Sequence, residues 1–511
     1  MGQRVIAMIL NGLGFMDDRL YMFEEFLANK PVEALFGEGV AAKQFNDDAL
    51  GRCLDAIWEY GPDKFFAEIA FEIGKSQNLL GKSIHVDTPS LSVYGEYDHD
   101  DDAPENQIKN QVGDTKDASR PTHGYAKNKR FDLKQMVLTL ATTGGAGFPL
   151  WMQAHSGNVS DKTVLMTASQ RIMAHCKGLK EADEFIIVAD SAMYDACMKE
   201  QPKFKWLSRV PSVHKKARDW LSTPNDSLAW IPLDNDNQFV AQVLTYKGVA
   251  QRWVMIQSTQ AYDREVKTLD QAMKKEHDKL EKDCWHLGNR QFQCEQDALQ
   301  AVKTSIKNPK YHTLTESVEP VYGCEQPGRP SAKNPRIIKY YRVSVAVYSD
   351  EKKVQAIKRC KGRFILATNE LDTTKLEDRA VLAVYKEQAK TERGFQFIKD
   401  DAFEVDSIFL KKPSRITALM VIMTLCLMVY ALAQHHIRAE LAKHNATVLN
   451  QLKKPITKPS MKWICRLFYG IHIVLLSKAD SAGVANLNEQ HRSIIRYFGP
   501  FAVKVYGLQP S

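Results

Sequence analysis

Over the first 80 residues, apolar positions recur every three or four places. The run RVIAMILNGLGF from Arg4 and the run LGRCLDAIWEY from Leu50 both carry this spacing, which predicts amphipathic helices. In FNDDALGRCLD, Asn46 or Asp47 stands where an N-cap belongs, and acids follow in the first turn. Past residue 82 the period shortens. Ile84, Val86, Leu91 and Val93 predict a strand, broken at Pro89. KQMVLTLATT from Lys134 and FPLWMQAHSG from Phe148 predict two strands, and Gly144, Gly145 and Gly147 between them predict a hairpin. An amphipathic helix follows from Asp161, with Ser160 or Asp161 as its cap. EFIIVAD, ending at Asp190, reads as a buried strand.

Beyond Asp190 the pattern changes again. Residues 227–258 hold short strand-like runs: SLAWIPL, FVAQVLTYKG and QRWVMIQS. Val266, Leu269, Met273, Leu280 and Leu287 then form one stripe on a highly charged helix, predicting a helical hairpin. Strand-like sequence returns at IIKYYRVSVAVYSD and RFILATNE. The order strand, strand, strand, helix, strand opens a ribonuclease-H-like sheet. The fold class expected is therefore α/β: a ribonuclease-H-like mixed sheet flanked by helices, with a β-rich plus helical insertion and an N-terminal helical domain. The division expected is residues 1–80 for the helical domain, 81–206 and 361–440 for the core, 207–360 for the insertion and 441–511 for a basic C-terminal segment.

At 511 residues the chain is too long for one ordinary core. Apolar residues make up 44% and charged residues 25%, an ordinary globular balance. Charge is unevenly placed. Residues 434–511 carry 11 Lys and Arg against 3 Asp and Glu, while residues 1–433 carry 58 of each sign. A basic tail beside a neutral body suits either a polyanion contact or plain solvation. The nine cysteines include no C-x-x-C pair, and Cys284, His286 and Cys294 lack a second paired half for zinc. Free thiols in a reducing cytosol are the simpler reading. No signal peptide is visible. The apolar run from Ala418 to Ala433 falls short of the ~20 residues that span a bilayer, so a fully buried helix is expected and no membrane. Asp98 to Asp102 read as a solvated acidic loop rather than a metal site.

Candidate chemistry gathers on three acids. Asp87 and Asp190 close strand-like runs, and Glu392 sits in YKEQAKTERGFQFIK. Tyr385, Gln388, Glu392 and Lys399 are spaced by three, four and seven residues, which places them on one helical face. Carboxylates suit hard divalent cations, and two such ions can activate a water and stabilise a leaving oxygen in phosphodiester cleavage.

VDTPSLSVYGEY, VADSAMYD and the Tyr-x2-Gln-x3-Glu-x6-Lys run resemble insertion-sequence DDE transposases, in the branch whose ribonuclease-H fold is interrupted by a β-strand insertion. GYAKNKRFDLKQ at residues 124–135, LYMFEEFLANKPVEALFG and FNDDALGRCLDAIWEYG resemble further parts of that branch, so the similarity runs over essentially the whole chain. The resemblance implies Asp87, Asp190 and Glu392 as catalytic and metal-binding residues for two Mg²⁺ or Mn²⁺ ions. It implies Tyr385, Lys399 and Gln388 at DNA phosphates, with Gln388 standing where that branch usually has arginine. Such a change removes a bidentate clamp. Trp253 and Trp230 are candidates for stacking a flipped base, or else core tryptophans. The implied reaction is cleavage at transposon ends, then attack of the freed 3′-OH on target DNA. The implied partners are double-stranded DNA, both terminal inverted repeats and target, and a second copy in a synaptic complex, with cytoplasmic, nucleoid-associated placement. A leading segment ahead of Met1 is also implied. A catalytically impaired relic that binds element ends without cutting is the alternative.

Overall fold

The computed structural model describes residues 1–15, 22–28, 30, 32–93, 119–124, 130–159, 161–178, 185–388, 410, 412–475 and 482–509. The chain forms two compact units, one of Met1–Ser208 with Ala383–Ser511 and one of Arg209–Leu382.

The first unit begins with helices α1 (Gly2–Leu10), α2 (Asp47–Tyr60) and α3 (Pro62–Ser76). Asn46 caps α2, its side chain accepting from the Ala49 amide at 2.9 Å. Then come β1 (Ser83–Asp87), β2 (Ser90–Val93), β3 (Lys134–Thr143), β4 (Pro149–Ser156), α4 (Asp161–Gly178), β5 (Ile186–Ala189), α5 (Ser191–Glu200) and β6 (Lys205–Arg209). β1 and β2 both run antiparallel to β3, at Asp87↔Leu140 and Ser90↔Val137. Between them the Leu138 amide donates to the Pro89 carbonyl at 2.9 Å. They are one strand interrupted at Thr88–Pro89, where proline has no N–H to give. β3 and β4 form the expected hairpin, turned through Gly145 and Gly147 at φ 77° and 66°. β5 adds parallel to β1, and β6 parallel to β5. The order β4-β3-β1-β5-β6 is the ribonuclease-H-like arrangement, with antiparallel strands on one side of β1 and parallel strands on the other. β3 is buried at every position after Lys134. Alternate strand residues face opposite ways, so both faces of the sheet are covered there.

The second unit contains β7 (Ile231–Pro232), β8 (Asn237–Tyr246), β9 (Val249–Ser258), α6 (Thr259–Gly288), α7 (Glu295–Ser305), β10 (His312–Cys324), β11 (Arg336–Ser349) and β12 (Arg363–Thr368). β7, β8, β9 and β12 form an antiparallel sheet in the order β7-β8-β9-β12. Lys247 and Gly248 turn β8 into β9 with φ of 50° and 79°, the doubly positive pair of a type I′ turn. β10 and β11 pair with each other as a separate two-stranded sheet, to which Phe292 adds a single antiparallel bridge at Tyr341. Their inner face meets α6 and α7 in a separate core of Leu280, Cys284, Leu287, Ala298, Val302 and Val343.

α8 (Asp378–Lys386) carries the chain back towards the first unit, and α9 (Pro413–Lys443) contains the long apolar run. α9 packs against α1, α2, α3 and β4, and its side chains from Ile416 to Met428 lie mostly buried. It is the one described helix long and apolar enough to cross a membrane, and here it is a core helix. Its first turn is fixed by Arg415, whose Nε and Nη2 both donate to Asp55 at 2.7 Å. That bidentate bond holds the Asp55 carboxyl below its usual range. Gly51 makes room, because a Cβ there would sit 2.7 Å from the Arg415 guanidinium. The far end of α9 supplies Ile437 and Leu441 to a small core with Val448, Ile464 and Ile494, so the basic C-terminal segment folds around it.

On β4, His155 Nε2 lies 2.9 Å from the Thr139 hydroxyl of β3. Burial first, then the charge of Arg171, pushes its pKa down to about 4. The unfolded chain takes up this proton near the ordinary value of about 6.5 and the fold resists it. The stabilising contribution is therefore complete above that value and is lost as pH falls towards 4. The expected cost is at most about 3 kcal/mol. Unfolding midpoints measured between neutral pH and pH 4 should fall less steeply for His155→Gln than for the wild type. Equal slopes would contradict this.

Candidate active site

β1 and β5 run parallel in the register Ser83↔Ile186, Ile84↔Ile187 and His85↔Val188. Extended two residues past its last pair, the same register would bring Asp87, the last residue of β1, level with Asp190, the residue after β5. Neighbouring strands stand ~4.8 Å apart, so such a continuation would put the two side chains on one face of the sheet. Both sit at the carboxyl ends of parallel strands, where open α/β sheets bind ligands.

Each acid is aimed by a backbone amide. Asp87 Oδ1 accepts from the Thr88 amide at 2.7 Å. Asp190 is the N-cap of α5 and its Oδ1 accepts from the Ala192 amide at 2.9 Å. The Asp190 carbonyl is held in turn by the Ser208 hydroxyl of β6 at 2.5 Å. Asp190 is exposed and Asp87 half-buried, so the pair stays in reach of a ligand. Two aimed carboxylates are a hard oxygen donor set that fits a divalent cation.

Gln388 is placed differently from its expected contact with phosphate. It is 8% exposed and spends its amide on β1. Nε2 donates to the Val86 carbonyl at 3.2 Å, and Oε1 lies 3.3 Å from His85 Nδ1. The Val86 contact fixes which end of the amide is nitrogen. His85 Nδ1 then carries the hydrogen, and its Nε2 accepts from the Ser83 hydroxyl at 3.1 Å. His85 is 0% exposed, with Glu387 Oε2 at 3.8 Å on the Ser83 side. Gln388 is thus a docking residue on the strand that ends in Asp87. Sequence reasoning missed His85 and Ser83. The available signal was their alternation with Asp87, which puts all three on one face of β1.

Tyr385 is half-buried at the end of α8. Glu392 and Lys399 lie outside the described residues, as do Asp98 to Asp102. The two candidate stacking tryptophans lie in different surroundings. Trp253 is 0% exposed on β9, its Nε1 donates to Gln251 Oε1 at 2.7 Å, and the rings of Trp220 and Tyr246 lie within 6.0 Å. It offers no face to a base. Trp230 is half-buried with the Arg363 guanidinium 5.4 Å from its ring centre on one face. Trp285 on α6 is exposed instead. No group of three or more potential metal ligands among the described residues forms a cluster. Cys284 is buried in its local core, and Cys294 Sγ accepts from the Asp297 amide at the start of α7.

The docking role of Gln388 has a measurable consequence. Gln388→Leu keeps the volume but leaves the His85 Nδ1–H and the Val86 carbonyl unpaired. Unsatisfied buried groups cost about 1–3 kcal/mol each, so a loss of about 2 kcal/mol in denaturant unfolding is expected. A wild-type midpoint for this variant would overturn the docking.

The transposase DDE domain family matches residues 98–429, and a domain of unknown function (DUF4277) matches residues 1–71. Asp190, Tyr385, Gln388, Glu392 and Lys399 fall inside the first match, and Asp87 just precedes it. No curated protein matches this chain. Among solved structures, the cryo-EM structure of the piggyBac transposase synaptic complex with hairpin DNA is similar over 91% of this chain and 70% of that chain, at 9% identity and a TM-score of 0.34. With well over half of its length matched, this chain belongs to the transposase DDE domain family.

Proposed function

We propose that this protein is a metal-dependent DNA transposase that cuts transposon ends and joins the freed 3′-OH to target DNA. The observation that carries the reading is the parallel pairing of β1 and β5, whose register runs to His85↔Val188, two residues before Asp87 and Asp190. Asp87, Asp190 and Glu392 would hold Mg²⁺ or Mn²⁺. Such ions, when bound, supply an activated water and stabilise the leaving oxygen. The chain's own part is to present aimed carboxylates.

Glu392 is the third ligand of this proposal, and chain connectivity supports it. Gln388 is docked against His85 and Val86, one residue from Asp87. Four residues of chain reach at most about 14 Å. Glu392 follows Gln388 by only those four residues in the sequence. Tyr385 and Lys399 are the proposed phosphate contacts. The partners proposed are the terminal inverted repeats, a target duplex and a second copy in a synaptic complex. The insertion between the aspartates and Glu392 is proposed as the auxiliary domain of this fold.

Two experiments test this. Purified protein with Mg²⁺ should nick a duplex carrying its own element end, and Asp87→Asn, Asp190→Asn and Glu392→Gln should each fall to the level of a metal-free control while end binding persists. Full cleavage by Glu392→Gln would remove that residue from the site. Wild-type protein that binds ends and never cuts would favour a non-enzymatic end-binder. Binding should also weaken steeply with salt, since each phosphate contact adds about −0.9 to the slope of log K against log salt. A flat response would contradict a phosphate-reading surface.

A further inference from the structure

β10 and β11 form a ribbon whose two halves differ. The base packs: Val343 lies in the local core, and Leu314, Val318, Tyr341 and Val345 pack against it. Glu276 of α6 clamps the start of β10, accepting from the Lys310 and Tyr311 amides at 2.9 and 2.8 Å and lying 2.8 Å from His312 Nδ1. Beyond Pro320 and Tyr341 none of that core remains. Residues 320–324 and 336–340 continue as a bare two-stranded arm, ~17 Å long at 3.4 Å per residue.

The arm is preorganised. Its register moves from Val321↔Tyr340 to Tyr322↔Ile338, leaving Lys339 as the extra residue of a bulge. Bulges sharpen the local twist. The connecting loop contains Pro327, Pro330 and Pro335. It is tied by Asn334, whose Nδ2 donates to the Gln326 carbonyl at 2.9 Å and whose Oδ1 accepts from the Gln326 amide at 3.1 Å. Little conformational freedom is left to lose on docking.

Its charge and exposure select the partner. Residues 320–340 carry four cations, Arg329, Lys333, Arg336 and Lys339, against the single carboxylate of Glu325. All four cations are exposed, and none forms a salt bridge among the described residues. Tyr322 and Ile338, paired across the ribbon, are 59% and 44% exposed. A monomer has no folding reason to present a rigid, basic strand pair with an apolar centre. The major groove of B-DNA admits a two-stranded ribbon, with cations reaching the flanking phosphates.

We propose that this arm is a duplex-DNA contact that lies in a groove, with Arg336 and Lys339 on phosphates and the Tyr322–Ile338 pair towards the base edges. The proposal rests on the transposase reading for its substrate. It adds a contact separate from the carboxylates that would cut.

The test uses the full chain and a fluorescein-labelled random-sequence DNA duplex, with binding followed by anisotropy across a salt series. Arg336→Glu with Lys339→Glu should weaken binding at least tenfold at low salt. Arg336→Ala with Lys339→Ala should lower the magnitude of the salt slope by about 2, one for each lost phosphate contact. Both pairs are exposed, and unchanged unfolding curves will show that the fold is intact. Wild-type affinity and slope in these variants, with the wild type binding well, would overturn the arm and leave the transposase reading standing. A wild type that ignores the duplex would overturn both. Unchanged DNA binding with a shift in oligomeric state would overturn the proposal and assign the arm to a second copy of the chain.

Discussion

The proposed sharing of a ligand by Asp87 and Asp190 depends on β1 and β5 running parallel in the register that ends at His85↔Val188. A slip of one residue would turn one carboxylate to the other face of the sheet. Much of the first unit is arranged so that this register cannot slip. β3 fixes β1 from the other side, β6 fixes β5, and the Ser208 hydroxyl of β6 holds the Asp190 carbonyl. The strands also stop pairing where the acids stand. Beyond Asp87 comes the Thr88–Pro89 interruption, and at Asp190 the chain turns into α5. Each carboxylate thus leaves the sheet at an edge open to a ligand while its backbone remains held.

The elements themselves were legible because their periods are local. Alternation marked β1 and β2, the glycines marked the β3–β4 turn, and Asn46 announced α2. The register was not legible, since the pairing of Ile84 with Ile187 joins residues a hundred positions apart. The same limit hid Gln388, whose partner His85 lies 303 residues away. From sequence it is one polar residue on a face with Tyr385. Trp253 was a different case. It opens the continuous apolar run Trp-Val-Met-Ile of β9, which is the pattern of a strand buried on both faces, and that local signal already favoured a core residue.

α9 shows why composition alone could not separate a core helix from a membrane helix. A helix apolar all round is stable wherever its surroundings are apolar all round. Here α1, α2, α3 and β4 provide them. Thr424 is accommodated by donating to the Met420 carbonyl at 2.8 Å, which either environment would permit. What marks this helix as packed inside the protein is the burial of Ile416 to Met428 against elements hundreds of positions earlier in the chain. The determinant is again a non-local contact.

Gln388 and His85 are best understood as a matched pair. The branch this chain resembles usually has arginine at the position of Gln388. A guanidinium only donates, and the Val86 carbonyl would accept from it as it does from the amide. His85 Nδ1 would then face a second donor. Its hydrogen would have to move to Nε2, where Ser83 would become the acceptor and the hydroxyl hydrogen would need another partner. The ring is fully buried, so no water relieves the mismatch. Glutamine, with one donor and one acceptor end, satisfies the carbonyl and the ring together. Gln388 and His85 together thus tie the chain after α8 to β1, one residue before Asp87.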